Sequence, residues 1–300
     1  MLSERVSKED LGGPDVHAAN GVAPLSAEGE EDAGVIVRKL LGYLPANSDQ
    51  QPPRSSTVRA PRGDPGRFVP VEQRKVYDVG DVIAGIVDRG SMFELGPHWA
   101  PNLMVALGRL DGRPVGIVAN QPRHMAGVID SDAAEKGAWF IDLCDRFGLP
   151  LIVLEDTPGF MPGTAEESRG VIRFGAALVK AFARATVPKL TVVLRKAFGG
   201  AFITMNSRSL GADLVLAWPT AEIGVMAATQ AVGIVNGRAL ASADDPERMR
   251  LQLAEDYAAQ HTTAAVAAAD GVVDELIEPI QTRDRLLTAL EAFGTSRRTR

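Results

Sequence analysis

The run Arg195-Lys196-Ala197-Phe198-Gly199-Gly200-Ala201-Phe202 carries the strongest chemical signal in the chain. It follows the apolar, strand-like Leu190 to Leu194 and opens a helix-like run from Phe202 to Leu210. A strand, a tight glycine turn and a helix start gather several free backbone N–H groups around one point. Such a point holds a phosphate, a carboxylate or the oxyanion of an enolate. A Gly-Gly pair alone is more often a tight turn that lets a strand and a helix pack closely. Other segments add to it. Asp156-Thr157-Pro158-Gly159-Phe160-Met161-Pro162-Gly163 follows the strand-like Leu149 to Leu154, at the strand end where parallel sheets bind ligands. Ala126 to Asp130 lies between a strand and a helix, and Gly80 to Phe93 reads as irregular. Ala217 to Met226 places an acid, Glu222, and a glycine, Gly224, after Leu214 to Leu216.

The elements that must position these loops are short. From Val76 to Phe293, strand-like runs at Pro114–Ala119, Leu149–Leu154, Lys189–Leu194 and Leu214–Ala217 alternate with helical patterns at Asp132–Phe147 and Arg169–Arg184. Continuous apolar strands between amphipathic helices predict an α/β layer structure with parallel strands. Ile280 to Phe293 reads as a closing helix with Thr282 as its N-cap. Ahead of this region, Met1 to Pro45 looks globular, with a turn at Leu11-Gly12-Gly13 and helical spacing from Ala33 to Leu44. Ala46 to Asp64 is rich in Pro, Ser and Thr and reads as a linker. The expected organisation is residues 1–45, a linker at 46–75 and a main domain at 76–300.

Composition narrows the function. Three hundred residues with 45% apolar content can build one large core. A net charge of −6 argues against general nucleic-acid binding. Cys144 is the single cysteine and the four histidines are scattered, so neither a disulfide framework nor a metal site is expected. The absence of a signal peptide and of a long apolar run predicts a cytoplasmic protein with no membrane partner. No Walker A loop, no strand-linked G-x-G-x-x-G and no G-x-S-x-G elbow occurs.

With these residues in view, the chain resembles the carboxyltransferase (β) subunits of biotin-dependent acyl-CoA carboxylases, of the acetyl- and propionyl-CoA carboxylase type. The resembling runs are Ala126–Asp130, Phe140–Asp145, Asp156–Gly163, Arg195–Phe202, Met205–Arg208, Gly211–Leu214, Ala217–Thr220 and Gly271–Asp274. They occur in family order from about Val76 onward. Glu9 to His17 with Gly21-Val22 resembles the tail of the family's N-terminal domain.

The resemblance implies a crotonase-like (ClpP/crotonase) fold of repeated ββα turns, of which residues 76–300 would be the C-terminal carboxyltransferase domain. In such enzymes the N-terminal domain binds the acyl-CoA substrate and the C-terminal one receives carboxybiotin on its carrier protein. The biotin-side oxyanion hole would fall on the N–H groups of Gly200 and Ala201, which would hold negative charge on the ureido oxygen as CO₂ leaves. Gly199, Phe198, Phe202, Ile203, Pro158, Gly159, Phe160, Gly163 and Gly127 would line the substrate region. Ile203 sits where the family lines its acyl pocket, although a plain core role suits it equally. The implied reaction carries CO₂ to the α-carbon of acetyl-CoA or propionyl-CoA. Biotin is the implied cofactor. A biotin carboxyl carrier protein, a biotin carboxylase subunit and further copies of the chain are the implied partners.

One departure stands out. Residues 1–45 match only the end of an N-terminal carboxyltransferase domain, and Leu11-Gly12-Gly13-Pro14 cannot replace its oxyanion glycines because proline lacks an N–H. The chain reads as half a carboxyltransferase that needs an N-domain partner. Two alternatives stay open: a non-catalytic crotonase-fold assembly partner, and an enoyl-CoA hydratase or isomerase. A hydratase needs two acids. Glu222 matches one, while Phe202 occupies the place of the other. Arg195 and Lys196 either meet a ligand or form ion pairs, Asp156 is expected to brace its own loop, Arg123 and His124 to lie on the surface, and Cys144 to sit in the core.

Overall fold

The computed structural model describes residues 5–47 and 49–294; the outermost parts of the expected 1–45 and 76–300 segments lie outside them. Eight strands form one sheet: β1 (Phe93–Leu95), β2 (Leu103–Leu110), β3 (Arg113–Asn120), β4 (Leu151–Thr157), β5 (Lys189–Phe198), β6 (Leu214–Ala217), β7 (Glu222–Gly224) and β8 (Glu275–Leu276). The order is β1-β2-β3-β4-β5-β6-β8, with β7 continuing along β5. From β3 onward the pairs are parallel. The expectation of parallel strands throughout is corrected at the start, because β1, β2 and β3 pair antiparallel. The cause is local. Asp111 and Gly112 both adopt positive φ, at 49° and 76°. That is the geometry of a two-residue hairpin turn matching strand twist.

Side-chain alternation sends each strand into two cores. Val105, Leu107, Leu151 and Val153 face Phe140, Ile141 and Cys144 of the Ser131–Phe147 helix and Leu178 and Phe182 of the Val171–Arg184 helix. Ile117, Ile152, Leu154 and Val192 face the Val79–Ile86 helix and the terminal Thr282–Phe293 helix. The result is a helix–sheet–helix sandwich, the α/β crotonase-like architecture. Cys144 is fully buried, as expected. A Cβ on Gly116 would stand 2.3 Å from its sulfur, so this glycine lets β3 and the helix approach.

Several boundaries differ from the sequence reading. Gly80–Phe93 is not irregular: Asp78 accepts the N–H of Gly80 at 2.9 Å and starts a helix over Val79–Ile86. The pattern at Arg169–Arg184 is broken by Gly170 at φ 86°, which separates a Thr164–Arg169 helix from Val171–Arg184. Thr282 is the first residue of its helix and not the N-cap. Its hydroxyl is buried, donating to Pro279 O at 2.7 Å and accepting from Trp218 Nε1 at 3.0 Å.

The proline-rich segment is a docked strap. Ser55 N–H donates to Gly112 O at 2.9 Å, Arg89 N–H to Arg59 O at 3.2 Å, and Arg62 N–H to Ala84 O at 3.0 Å. Upstream, Leu25, Ile36, Leu40, Tyr43 and Leu44 pack on the core that contains the Ser131–Phe147 helix.

Candidate active site

β5 runs directly into a short helix, Gly199–Thr204, with Phe198 as an N-cap that offers no side-chain acceptor. The leading N–H groups of a helix have no intrahelical acceptor, and Gly200 and Ala201 stand at such positions. Gly199 has φ 63°, and a Cβ there would stand 3.2 Å from Val225 O. Backbone conformation and close approach both call for glycine. Behind the turn, Ala201 is fully buried and its carbonyl accepts from Met205 N at 2.8 Å, while Thr204 Oγ1 donates to Gly200 O at 2.8 Å. The donors are therefore held on a rigid base.

A cavity of about 660 Å³ opens at this turn, lined by Gly199, Gly200, Phe202, Ile203, Val225 and Val272 among others. Of the residues expected to line a substrate region, these first four do. Ile203 is 49% exposed, so it is a wall residue and not core. Ala201 and Phe198 lie beneath the surface. Phe160 reaches the turn from the other loop: its ring is 3.8 Å from where a Cβ on Gly200 would be, and it packs against Gly175. That loop is pinned by Ile129 N–H donating to Gly159 O at 3.0 Å and Met161 N–H to Ile129 O at 2.8 Å. Pro158 and Gly163 are exposed and, like Gly159, stand outside the cavity lining. Gly127 serves packing: at φ 77°, a Cβ on it would lie 2.6 Å from Asp156 O.

Residues from distant segments complete the wall. His261 ends the Pro246–His261 helix, and Ser207, Ser209 and Gly271 come from flanking turns. The runs holding Ser207 and Gly271 had a sequence signal. His261 had none, since a lone exposed histidine at a helix end has no distinguishing pattern.

Asp156 is corrected. It lies in β4, fully buried, where Arg195 Nε approaches Oδ2 at 3.0 Å and Lys196 Nζ approaches Oδ1 at 3.8 Å. Burial raises its carboxyl above the ordinary range, opposed by Arg195 and Lys196. Arg195 is 2% exposed and also donates to the carbonyls of Glu72 (3.1 Å) and Lys75 (2.8 Å). Both basic residues are thus ion-paired. Glu222 stands opposite Lys196 in the β5–β7 ladder, its carboxyl raised by burial against the pull of Lys196. Arg123 is exposed and pairs with Asp78 at 2.9 Å.

The family of carboxyl transferase domains matches residues 1–300. The chain belongs to the carboxyl transferase domain family. It is 44% identical, over its whole length, to the methylmalonyl-CoA carboxyltransferase 12S subunit of Propionibacterium freudenreichii subsp. shermanii. It is also 44% identical over 97% of its length to the biotin-dependent acetyl-/propionyl-coenzyme A carboxylase beta5 subunit of Mycobacterium tuberculosis. It spans 58% and 56% of those two relatives. Among solved structures, the transcarboxylase 12S hexamer matches with a TM-score of 0.93 at 44% identity, covering all of this chain and 58% of that one. The β subunit of Pseudomonas aeruginosa geranyl-CoA carboxylase matches with 0.71 at 30% identity, with the same two shares. Among the described residues of this carboxyl transferase domain, no helix is long and apolar enough to cross a membrane.

Proposed function

We propose that this carboxyl transferase domain is the carboxybiotin-side half of an acyl-CoA carboxylase, acting on a short acyl-CoA such as propionyl-CoA or acetyl-CoA. In this reading residues 76–300 are the C-terminal carboxyltransferase domain and residues 1–45 the end of the N-terminal one, the domain that supplies the acyl-CoA side. The observation that carries the reading is the Gly199-Gly200-Ala201 turn, which opens a helix at the edge of a cavity of about 660 Å³ with largely apolar walls. An uncharged bicyclic ring carrying one polarised carbonyl suits such walls and donors.

Carboxybiotin, when bound, supplies the carboxyl group and, once that has left, a base for the acyl α-carbon. The chain's own part is electrostatic. The Gly200 and Ala201 N–H groups hold charge that develops on a ligand oxygen, from a turn whose geometry does not change during reaction. Phe202, Ile203 and Val225 give that oxygen an apolar surround, where a donor acts more strongly than in water. A hydratase reading lacks its first acid, because Phe202 occupies that place. In this reading the biotin is borne by a carrier protein and loaded by a biotin carboxylase, in a cytoplasmic setting.

Ala201→Pro removes one donor. In the assembled enzyme with its N-domain half, biotin-dependent decarboxylation of methylmalonyl-CoA should fall about 10²–10³-fold while the circular-dichroism spectrum stays unchanged. Undiminished turnover would overturn the assignment. The reading includes association of copies, supported by the exposed apolar side chains of Ile234 and Val235 at the end of the Ala228–Val235 helix. Sedimentation velocity at micromolar concentration should give a dimer or larger; monomer alone would remove that part.

A further inference from the structure

A second cavity, of about 350 Å³, lies where the end of the Glu30–Leu41 helix, the strap and the turn before β1 meet. It stands apart from the glycine turn. Arg109, in its wall, pairs with Pro114 at the start of β3, whereas Gly199 follows the end of β5, which runs in the same direction as β3. The two cavities therefore sit at opposite ends of the sheet.

Its lining is strongly basic. Arg38, Lys39, Arg59, Arg89 and Arg109 contribute to it, and Asp88 is the single carboxylate in the lining. Asp88 is already occupied: Arg283 approaches at 2.5 Å, and the N–H groups of Gly112 and Asp111 donate at 2.8 and 3.1 Å. Arg109 is also committed, to the carbonyls of Gly42, Pro53 and Gly112 and to the Tyr43 ring at 4.7 Å. Lys39 lies 4.9 Å over the Phe93 ring. Arg38, Arg59 and Arg89 take part in no ion pair among the described residues. Three arginines without an ion pair among the described residues thus line one hollow, in a protein whose net charge is −6.

We propose that this hollow is an anion site for a phosphate-bearing small molecule, which ties the strap and the Glu30–Leu41 helix to the sheet edge. Guanidinium forks match phosphate oxygens two at a time. A terminal phosphate offers three oxygens to three arginines, where a carboxylate offers two. The volume lies within the range of small-molecule pockets, about 300–1,000 Å³. The phosphate would bridge segments more than fifty residues apart in sequence (Arg38 to Arg89).

Isothermal titration with inorganic pyrophosphate, against sodium chloride of equal ionic strength, tests this. Saturable one-site binding is expected, with chloride giving none. Arg59→Ala and Arg89→Ala, both at exposed side chains, should each weaken it about tenfold, the worth of one charge-assisted contact. Arg74→Ala, an exposed arginine elsewhere, should leave it unchanged. Equal responses to chloride and pyrophosphate, or unaltered binding in both cavity variants, would overturn the site. A hexaglutamate peptide binding as tightly as pyrophosphate would overturn the phosphate assignment in favour of an acidic protein segment.

Discussion

At Glu155 the chain places a carboxyl group in β4 with no exposure and no hydrogen-bond partner for either oxygen. Burial, reinforced by the neighbouring Asp156, pushes its proton affinity well above the ordinary range. The folded state then holds this proton more tightly than the unfolded chain does. Stability therefore falls as pH rises past the unfolded value, about 4.3, and keeps falling until the folded-state group titrates. Glu155→Gln keeps the shape and removes the ionisation. Urea melts at pH 5 and pH 8 should show the variant gaining on the native protein as pH increases; a gap independent of pH would refute the account. Nothing in the local sequence marks this residue. Glu155 follows four apolar residues in Leu151 to Leu154, and a charged residue at the end of such a run reads as the start of a loop.

At the level of elements, the Asp156–Arg195 pair joins β4 to β5 and, through Arg195, to the carbonyls of Glu72 and Lys75. Removing one member leaves the other charge buried without its partner. Asp156→Ala should therefore cost about 3–5 kcal/mol, read from the denaturant midpoint. Arg62→Ala, which breaks the exposed Arg62–Asp81 pair, should cost under about 1 kcal/mol; equal losses would mean that the buried pair has no special weight. The glycine turn was legible because a strand, two glycines and a helix start are adjacent in sequence. Asp156 was misread because the Pro158-Gly159 signal beyond it suggested an earlier loop. The strand instead continues past a register shift between Glu155 and Thr157, and only the partner strand reveals that.

Across the whole molecule, Arg109 gathers three segments by donating to Gly42, Pro53 and Gly112. Arg109→Ala should loosen the strap without unfolding the sheet, so limited proteolysis within residues 49–64 should quicken several-fold while far-ultraviolet circular dichroism stays constant. Unchanged cleavage would show that the strap's backbone bonds suffice. The alternation of apolar runs and amphipathic helices determined the α/β class, and the ordered motifs determined the family resemblance, because both depend on neighbours close in sequence. Tertiary structure alone decided three things: that the Pro-rich segment docks, that β1 to β3 turn antiparallel at one edge, and that Ile203 and His261 share a cavity while Pro158 and Gly163 stand outside it. Each rests on contacts between residues far apart in the chain, whose free energy comes from packing and paired backbone groups that no local pattern records.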